Sequence, residues 1–165
     1  MKTLCITGAN GFIGSHVAIQ AAQKGYQLRL LLRSEPQPAV RDLGAQIFRG
    51  DVRNDADLAP FLAGADALLH VAGVNTPSSA QRNNIFTSNV EGTKQILRAA
   101  QKAGVQRIVH TGSTAALGCA GRGKMNDEDT PFNLWNASTD YERSKYLGEK
   151  TALELFAQEG VPVMI

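Results

Sequence analysis

Three residues in the second half of the chain could together carry out proton-coupled chemistry on an oxygen-bearing substrate. Tyr141 and Lys145 are four residues apart, so on a helix they share one face and could enter the same cleft. An ammonium group beside a phenol favours the phenolate, which allows proton exchange nearer to neutral pH. Taken alone, this spacing also fits a surface tyrosine and a surface lysine on an amphipathic helix.

The third residue, Ser113, follows an apolar run at residues 107–111. If that run is a strand of a parallel sheet, Ser113 lies at its carboxyl end, where ligand sites of such sheets occur. Its hydroxyl could hold a substrate oxygen while Tyr141 handles the proton. Two alternatives stay open: the neighbouring Thr114 could supply the hydroxyl, or the segment could be a loop that hydrogen-bonds its own backbone.

A glycine-rich turn near the N-terminus could bind a phosphate. Three glycines spaced by two residues, Gly8, Gly11 and Gly14, follow an apolar strand and open a helix with apolar residues at helical spacing. Turn amides and the positive end of the helix dipole suit an anion. Gly8 allows the tight turn, Gly11 allows close approach of the pyrophosphate, and Gly14 allows close packing of helix and strand. A glycine-rich turn without any ligand is the alternative.

Strand-like and helix-like segments alternate along the whole chain. The predicted strands are residues 3–7, 27–32, 46–49, 67–71, 107–111 and 161–165. The predicted helices are residues 12–24, 39–43, 55–62 with Asp55 as its cap, 79–103 and 138–158, with loops at 75–80 and 118–137. This alternation predicts an α/β fold, a doubly wound parallel sheet of the Rossmann type. Because residue 165 falls within the last strand, we expect residues 1–165 to be the NAD(P)-binding domain of a longer protein, with the C-terminal substrate-binding region absent.

Composition excludes several classes of protein. Of 165 residues, 43% are hydrophobic and 19% charged, with 17 basic and 15 acidic residues interspersed, which is typical of a soluble globular domain. No basic stripe indicates a nucleic-acid partner, and no apolar run is long enough to span a membrane. Cys5 and Cys119 lack metal-ligand spacing, so neither a zinc site nor a disulfide is predicted. These features favour a cytoplasmic protein.

The motifs together resemble those of the extended short-chain dehydrogenases/reductases, the NAD-dependent epimerase/dehydratase superfamily. The resemblance rests on the segments Thr7-Gly8-Ala9-Asn10-Gly11-Phe12-Ile13-Gly14, Gly50-Asp51-Val52-Arg53, Asp66-Ala67-Leu68-Leu69-His70-Val71-Ala72-Gly73, Asn89-Val90-Glu91-Gly92-Thr93, 109–118, 127–131 and 141–145. The last three are most similar to the dihydroflavonol-4-reductase-like branch. One departure is Gly112, where many relatives have serine or threonine.

The resemblance implies a role for each matching residue. Tyr141 would be the catalytic acid/base, Lys145 would hold the nicotinamide ribose and promote ionisation of the tyrosine, and Ser113 would orient the substrate oxygen. Asn89 would support the site, or serve helix packing alone, and His70 would be structural. The cofactor-binding residues implied are Gly8, Asn10, Gly11, Phe12, Ile13, Gly14, Arg33, Asp51, Val52, Val71, Ala72, Gly73, Asn89, Thr111, Tyr141 and Lys145.

The end of the second predicted strand bears on the choice of cofactor. A carboxylate there would bind the adenosine ribose and repel a 2′-phosphate, but the sequence runs from Leu32 to Arg33, and Glu35 comes later in the loop. An arginine can pair with a phosphate through its planar fork. We therefore expect NADP as the cofactor, with NAD as the alternative. The other interpretation of Arg33 is a solvated side chain that binds no phosphate.

Three functions are compatible with these residues. The first is an NADP-dependent oxidoreductase that moves hydride between nicotinamide and a carbonyl or alcohol substrate. The second is an NAD-dependent epimerase or dehydratase acting on a nucleotide sugar, and the third is a sensor that binds NADP without catalysis. The resemblance also implies a homodimer formed through the two long helices, about 79–103 and 138–158.

Overall fold

A six-stranded parallel sheet forms the centre of the molecule. The computed structural model describes residues 2–76 and 78–165, so Pro77 of the predicted loop lies outside the described residues. The strands are β1 (Thr3–Thr7), β2 (Gln27–Leu32), β3 (Gln46–Arg49), β4 (Ala67–His70), β5 (Arg107–His110) and β6 (Val163–Met164). Their order is β3-β2-β1-β4-β5-β6, and every neighbouring pair is parallel. The predicted doubly wound α/β sheet is confirmed.

Within residues 2–76 and 78–165 there are six α-helices, five of which pack on the two faces of this sheet. They are α1 (Phe12–Gln23), α2 (Pro38–Arg41), α3 (Asp55–Leu62), α4 (Arg82–Phe86), α5 (Gly92–Lys102) and α6 (Asp140–Glu159). One buried apolar cluster packs the sheet against α3, α5 and α6, and a second packs it against α1 and α2. Strand β1 serves both, because Leu4 and Ile6 point to one cluster and Cys5 to the other. Burial on both faces explains why β1 and β2 have nearly continuous apolar runs.

The predicted long helix at residues 79–103 is interrupted. A 3₁₀ turn (Ser79–Gln81) and α4 come first, then a π-helical turn (Thr87–Glu91), and only then α5. The π turn buries Ser88 and Asn89, two polar side chains. A π turn inserts one residue into the helical spiral, and such turns often occur at functional sites. Apolar periodicity cannot reveal this insertion, because the pattern on either side remains helical.

Two helix starts differ from the prediction. The side chain of Asn54, rather than Asp55, caps α3 by accepting a hydrogen bond from the Ala56 amide, and Asp55 is the first helical residue. Helix α6 begins at Asp140, two residues later than predicted. Its Thr139 cap forms a reciprocal capping box with Glu142, which satisfies two amides of the first turn.

Other element ends agree with the prediction within a few residues. Strands β4 and β5 end at His70 and His110, one residue earlier than predicted, and α2 starts at Pro38 rather than residue 39. Gly160 ends α6 in the left-handed conformation with φ 68°, as its position after the helix predicts. Strand β6 lies at an edge of the sheet, and Met164 on it is exposed. Of the helices within residues 2–76 and 78–165, none combines the length and apolar character that a membrane span requires.

Candidate functional site

A cleft of about 570 Å³ opens at the carboxyl ends of the strands. It lies where the strand order reverses, between β1 and β4, which is the usual ligand position in open parallel sheets. The cleft is lined by Thr7, Gly8, Asn10, Gly11, Phe12, Ile13, Gly14, Leu31, Leu32, Arg33, Gly50, Asp51, Val52, Val71, Ala72, Gly73, Asn75, Ser88, Thr111, Gly112, Tyr141 and Lys145. The structure thus brings most of the predicted site residues, from both halves of the chain, to one surface.

The glycine turn forms one wall of the cleft, and two of its glycines have no room for a side chain. Gly8 has φ +78°, and a Cβ there would lie 2.6 Å from the Ala72 nitrogen. A Cβ at Gly14 would lie 2.1 Å from the Gly8 oxygen. Strand β1, helix α1 and the loop after β4 therefore meet with only backbone between them, as the glycine pattern predicts.

The N-terminus of α1 presents its first amides to the cleft without a side-chain cap. Its N-cap is Gly11, and the first turn carries no acidic residue. In α3 and α6, by contrast, Asn54 and Thr139 cap the first turn, and acidic side chains stand within it. The amides of α1 are thus open to an external anion. The glycine turn fits the pyrophosphate of a dinucleotide, since Gly11 at the N-cap places no side chain between the α1 amides and the cleft.

Asn10 connects the glycine turn to the loop that follows β2. Its amide donates to Ser34 Oγ (3.1 Å) and to the Glu35 carbonyl (2.9 Å), and its Oδ1 accepts the Gln37 amide (3.0 Å). These three bonds hold the loop that carries Arg33 beside the cleft. Asn10 therefore lines the cleft and also holds the loop that borders it after β2.

The end of the cleft beside β2 and β3 contains one carboxylate among the lining residues, Asp51, which is already paired. Its two oxygens accept hydrogen bonds from the Arg53 amide, Nε and Nη2 at 2.7–2.9 Å. These bonds hold the pKa of Asp51 below its usual value, and the nearby Arg33 acts in the same direction. Val52, beside Asp51, is buried and lines the same wall.

Tyr141 and Lys145 reach the cleft from α6, one turn apart. The Lys145 Nζ donates to the Thr111 carbonyl at 2.7 Å, which ties α6 to the end of β5. Lys145 is only 9% exposed, and burial lowers its pKa, while the Glu149 carboxylate one turn further opposes the shift. The buried ammonium thus stands at the point where the strand ends and the tyrosine meet.

Two predicted site residues lie outside the cleft lining. Ser113 follows the lining residue Gly112, and its Oγ accepts the Ala115 amide at 3.2 Å, capping a short 3₁₀ turn (Thr114–Ala116). Its hydroxyl proton can still be donated, and the alternative residue, Thr114, is exposed within that turn. Asn89 is 3% exposed and lies behind the wall, where its amide bonds the Val74 backbone and Ser144.

Two histidines lie close to Lys145, beneath the cleft. The rings of His70 and His110 stack with centroids 5.1 Å apart, and both residues are buried. Burial and the charge of Lys145 lower the pKa of His110 to about 3, and burial likewise lowers that of His70. Both rings are therefore neutral near pH 7. The predicted structural location of His70 is confirmed.

Several lining residues were not predicted from the sequence. Leu31, Leu32 and Gly50 adjoin predicted residues, and strand ends alone could have indicated them. Asn75 and Ser88 had no such signal. Ser88 reaches the cleft because the π turn rotates it there, and a regular helical pattern would not predict that rotation.

Comparisons with known proteins agree with this geometry. The chain is 37% identical over 161 residues to a Synechocystis protein provisionally named dihydroflavonol 4-reductase, covering 97% of this chain and 46% of that protein. It is 31% identical over 163 residues to the 3-beta-hydroxysteroid dehydrogenase of Mycolicibacterium neoaurum, covering 94% and 44%. The chain therefore spans about half the length of the curated relatives it matches.

Solved structures show the same relationship. The crystal structure of gox2253 superposes with a TM-score of 0.89 at 35% identity, covering 99% of this chain and 50% of that chain. The dTDP-glucose 4,6-dehydratase DesIV of Streptomyces venezuelae, solved with NAD, superposes with a TM-score of 0.83 at 26% identity, covering 98% and 53%. Residues 4–165 match the model of the NAD dependent epimerase/dehydratase family. The chain belongs to that family, as its motifs predicted.

Proposed function

We propose that this chain is the cofactor-binding and catalytic domain of an NADP-dependent oxidoreductase that interconverts a carbonyl and an alcohol. The observation that carries the proposal is that Tyr141 and Lys145 line the same cleft as the uncapped glycine turn. A dinucleotide lying along this cleft would have its pyrophosphate at α1 and its nicotinamide near α6. Relatives named as a reductase and a dehydrogenase support this class of reaction.

Each residue has a distinct task in this proposal. A bound nicotinamide supplies or accepts the hydride at the substrate carbon. The Tyr141 hydroxyl gives a proton to the substrate oxygen during reduction, or takes one during oxidation. Lys145, fixed by the Thr111 carbonyl, places a positive charge beside the reacting groups and binds the ribose. Ser113 donates its hydroxyl proton to the same substrate oxygen, while the Ala115 amide orients its Oγ.

The preference for NADP rests on the adenosine end of the cleft. Arg33 is exposed there, directly after the buried Leu32, and no carboxylate follows β2 at that point. Glu35 pairs with Arg49 at 3.2 Å, and Asp51 is held by Arg53. With both carboxylates paired, Arg33 is the charge best placed to meet a 2′-phosphate.

The test is Tyr141→Phe, which removes the phenol oxygen and keeps the ring. We expect turnover of carbonyl substrates with NADPH to fall about 10²–10⁴-fold, the usual value of a positioned acid/base group. NADPH affinity, followed by cofactor fluorescence, should change less than about threefold, since the reacting proton does not contribute to ground-state binding. Tyr146→Phe on the same helix is the matched control and should retain turnover. Equal turnover in wild type and Tyr141→Phe would contradict the catalytic assignment.

A second candidate is an NAD-dependent epimerase or dehydratase acting on a nucleotide sugar. It is favoured by the solved relatives MoeE5, bound to UDP-glucose and NAD at 28% identity, and DesIV with NAD. Denaturing the purified protein and identifying any released dinucleotide would separate the candidates, together with turnover assays on UDP- and dTDP-sugars. Dinucleotide binding without turnover of either substrate class would favour a sensor.

We also propose that α5 and α6 form a homodimer face. Leu153 and Phe156 are three residues apart on α6 and are 53% and 57% exposed. Large exposed apolar side chains on one helical face are typical of an interface. Sedimentation velocity of wild type and of the double variant Leu153→Lys, Phe156→Glu tests this proposal, since the variant should be monomeric at concentrations where the wild type is a dimer.

A further inference from the structure

Within residues 2–76 and 78–165, hydrogen bonds connect five buried polar residues in and behind the wall of the cleft, and the side chains of these residues have no task in the proposed function. They are 6% exposed or less, and they belong to five different segments: β1, β4, the π turn, α5 and α6. The residues are Thr7, His70, Asn89, Thr93 and Ser144. Burying a polar group is costly unless the group is hydrogen-bonded. A hydrogen-bonded set that joins five segments around the site therefore indicates a role beyond packing.

The direction of the hydrogen bonds can be read outward from Thr93. Its hydroxyl donates to the Asn89 carbonyl at 2.8 Å, because a carbonyl can only accept. Having donated its single proton, the Thr93 oxygen must accept from His70 Nε2, 3.1 Å away. The proton of the neutral His70 ring therefore resides on Nε2, and Nδ1 is an acceptor.

From His70, the hydrogen bonds continue towards the glycine turn. His70 Nδ1 lies 2.8 Å from Thr7 Oγ1, so the Thr7 hydroxyl donates to it. The Thr7 oxygen in turn accepts the Ala72 amide at 3.2 Å. Thr7 and Ala72 both line the cofactor side of the cleft. Every proton in this part of the chain of bonds has one donor and one acceptor.

On the other side of His70, the bonds reach the helix that carries the acid/base. The Asn89 amide donates to Ser144 Oγ at 2.9 Å, and Ser144 Oγ donates to the Tyr141 carbonyl at 2.7 Å. The helix is pressed against the π turn at this point, since a Cβ at Gly148 would lie 2.4 Å from the Asn89 oxygen. The chain of bonds thus begins at a cofactor loop and ends on the backbone of Tyr141.

We propose that His70 is a positioning residue which, as the neutral Nε2–H tautomer, holds the cofactor loops and the Tyr141 helix in fixed register. Its two ring nitrogens have opposite roles, so reversing either role breaks the sequence of donors and acceptors from Ala72 to the Asn89 carbonyl. Asn89 itself then connects this sequence to Ser144 and the Tyr141 carbonyl through its side chain. The meaning of this register for catalysis rests on the proposed function. The tautomer and the polarity of the bonds rest on the geometry alone.

The first test is direct observation of the His70 ring. In this chain labelled with ¹⁵N-histidine, we expect the His70 signals of a neutral ring protonated on Nε2 from pH 5.5 to 8. The His70→Asn variant identifies the signals, and His110→Phe removes those of the stacked neighbour. Signals of the Nδ1–H tautomer, or of a charged ring at pH 7, would overturn the proposal.

The second test changes one partner at a time. Thr93→Val removes the acceptor of the Nε2 proton at nearly constant shape, whereas Thr93→Ser keeps the hydroxyl and is the matched control. An unsatisfied buried donor should weaken NADPH binding by about tenfold in Thr93→Val, while Thr93→Ser stays near wild type. The valine variant should also shift the backbone amide signals of both Ala72 and Ser144. A cooperative thermal transition shows that each variant is folded.

The outcomes separate this inference from the proposed function. If wild type binds no dinucleotide but His70 is the Nε2–H tautomer, and Thr93→Val shifts the distant amides, the proposed function fails and the chain of bonds stands. The opposite outcome is equal NADPH affinity in wild type, Thr93→Val and Thr93→Ser, with amide signals that change only for residues next to position 93. In that case His70 fills the core and has no positioning role.

Discussion

The Lys145 ammonium donates a hydrogen bond to the Thr111 carbonyl at 2.7 Å, and it does so while almost completely buried. A lysine that only served stability would not be held in this place, because burial disfavours its charged form and lowers its pKa. The bond joins the end of β5 to α6 and directs the charge into the cleft. The folded protein therefore keeps a costly cation at the site where the proposed chemistry needs one.

From this relationship we predict opposite effects of Lys145→Met on function and on stability. Turnover should fall by about 10²-fold or more, because the positive charge beside the reacting groups is lost. The free energy of unfolding should be equal or higher, since an apolar side chain of similar length replaces a buried charge. Urea denaturation and steady-state assays measure the two effects. Lys150→Met, an exposed lysine on the same helix, should change neither; a strongly destabilised Lys145→Met would contradict the prediction.

For Arg33→Ala we predict a change in cofactor preference. A charge-assisted hydrogen bond to phosphate contributes about 1.5–3 kcal/mol, so NADPH affinity should fall about 10–100-fold. NADH affinity should stay within about threefold of wild type, since NADH lacks the 2′-phosphate that this side chain would bind. Fluorescence titration with both dinucleotides gives the ratio. Arg107→Ala removes an exposed cation at the amino end of β5, away from the cleft, and should leave the ratio unchanged. An unchanged ratio in Arg33→Ala would mean that Arg33 is merely solvated.

Gly14→Ala should damage both the fold and the cofactor site. The new Cβ would lie 2.1 Å from the Gly8 oxygen, so α1 must move away from the turn. Overpacking of this kind costs about 1–3 kcal/mol, which exceeds the gain of up to about 1 kcal/mol from the better helix propensity of alanine. We expect a lower midpoint in urea and weaker dinucleotide binding. Gln20→Ala on the exposed face of α1 is the control. If Gly14→Ala is as stable as Gln20→Ala, the packing role of Gly14 is refuted.

Because of His110, we predict that the free energy of unfolding falls on mild acidification. Its folded pKa of about 3 lies below the ordinary value of 6.5, so the unfolded chain binds more protons between these values. The stability that the neutral ring provides is complete above pH 6.5 and is lost progressively as the pH falls towards 3. Between pH 7 and pH 5 this single group should cost about 2 kcal/mol.

The variant His110→Phe isolates this contribution. A phenyl ring can stack on His70 and takes no proton, so the free energy of unfolding should fall less steeply between pH 7 and pH 5 than in wild type. Some slope should remain, because burial lowers the pKa of His70 as well. Urea titrations of both proteins at several pH values provide the comparison. Identical pH dependence would mean that His110 titrates normally in the folded state.

Much of the fold could be predicted because local patterns carry it. The alternation of strand-like and helix-like segments defines the parallel sheet, and the glycine spacing defines the first turn. Boundaries at caps were harder, since Asn54 and Asp55 are both good caps and only the backbone path selects Asn54. The π turn was missed because one inserted residue leaves the apolar pattern on either side unchanged.

The sequence by itself determined the doubly wound sheet, the glycine turn and the residue types available for chemistry. These features depend on hydrophobic period, residue spacing and backbone freedom, which are local properties of the chain. Only the tertiary structure decided which side chains share the cleft and which support it from behind. Asn89 and Ser113 resemble site residues, yet one bonds Val74 and Ser144 and the other caps a turn. The pairing of Thr7 with His70, 63 residues apart, depends on strand register, which local sequence does not encode.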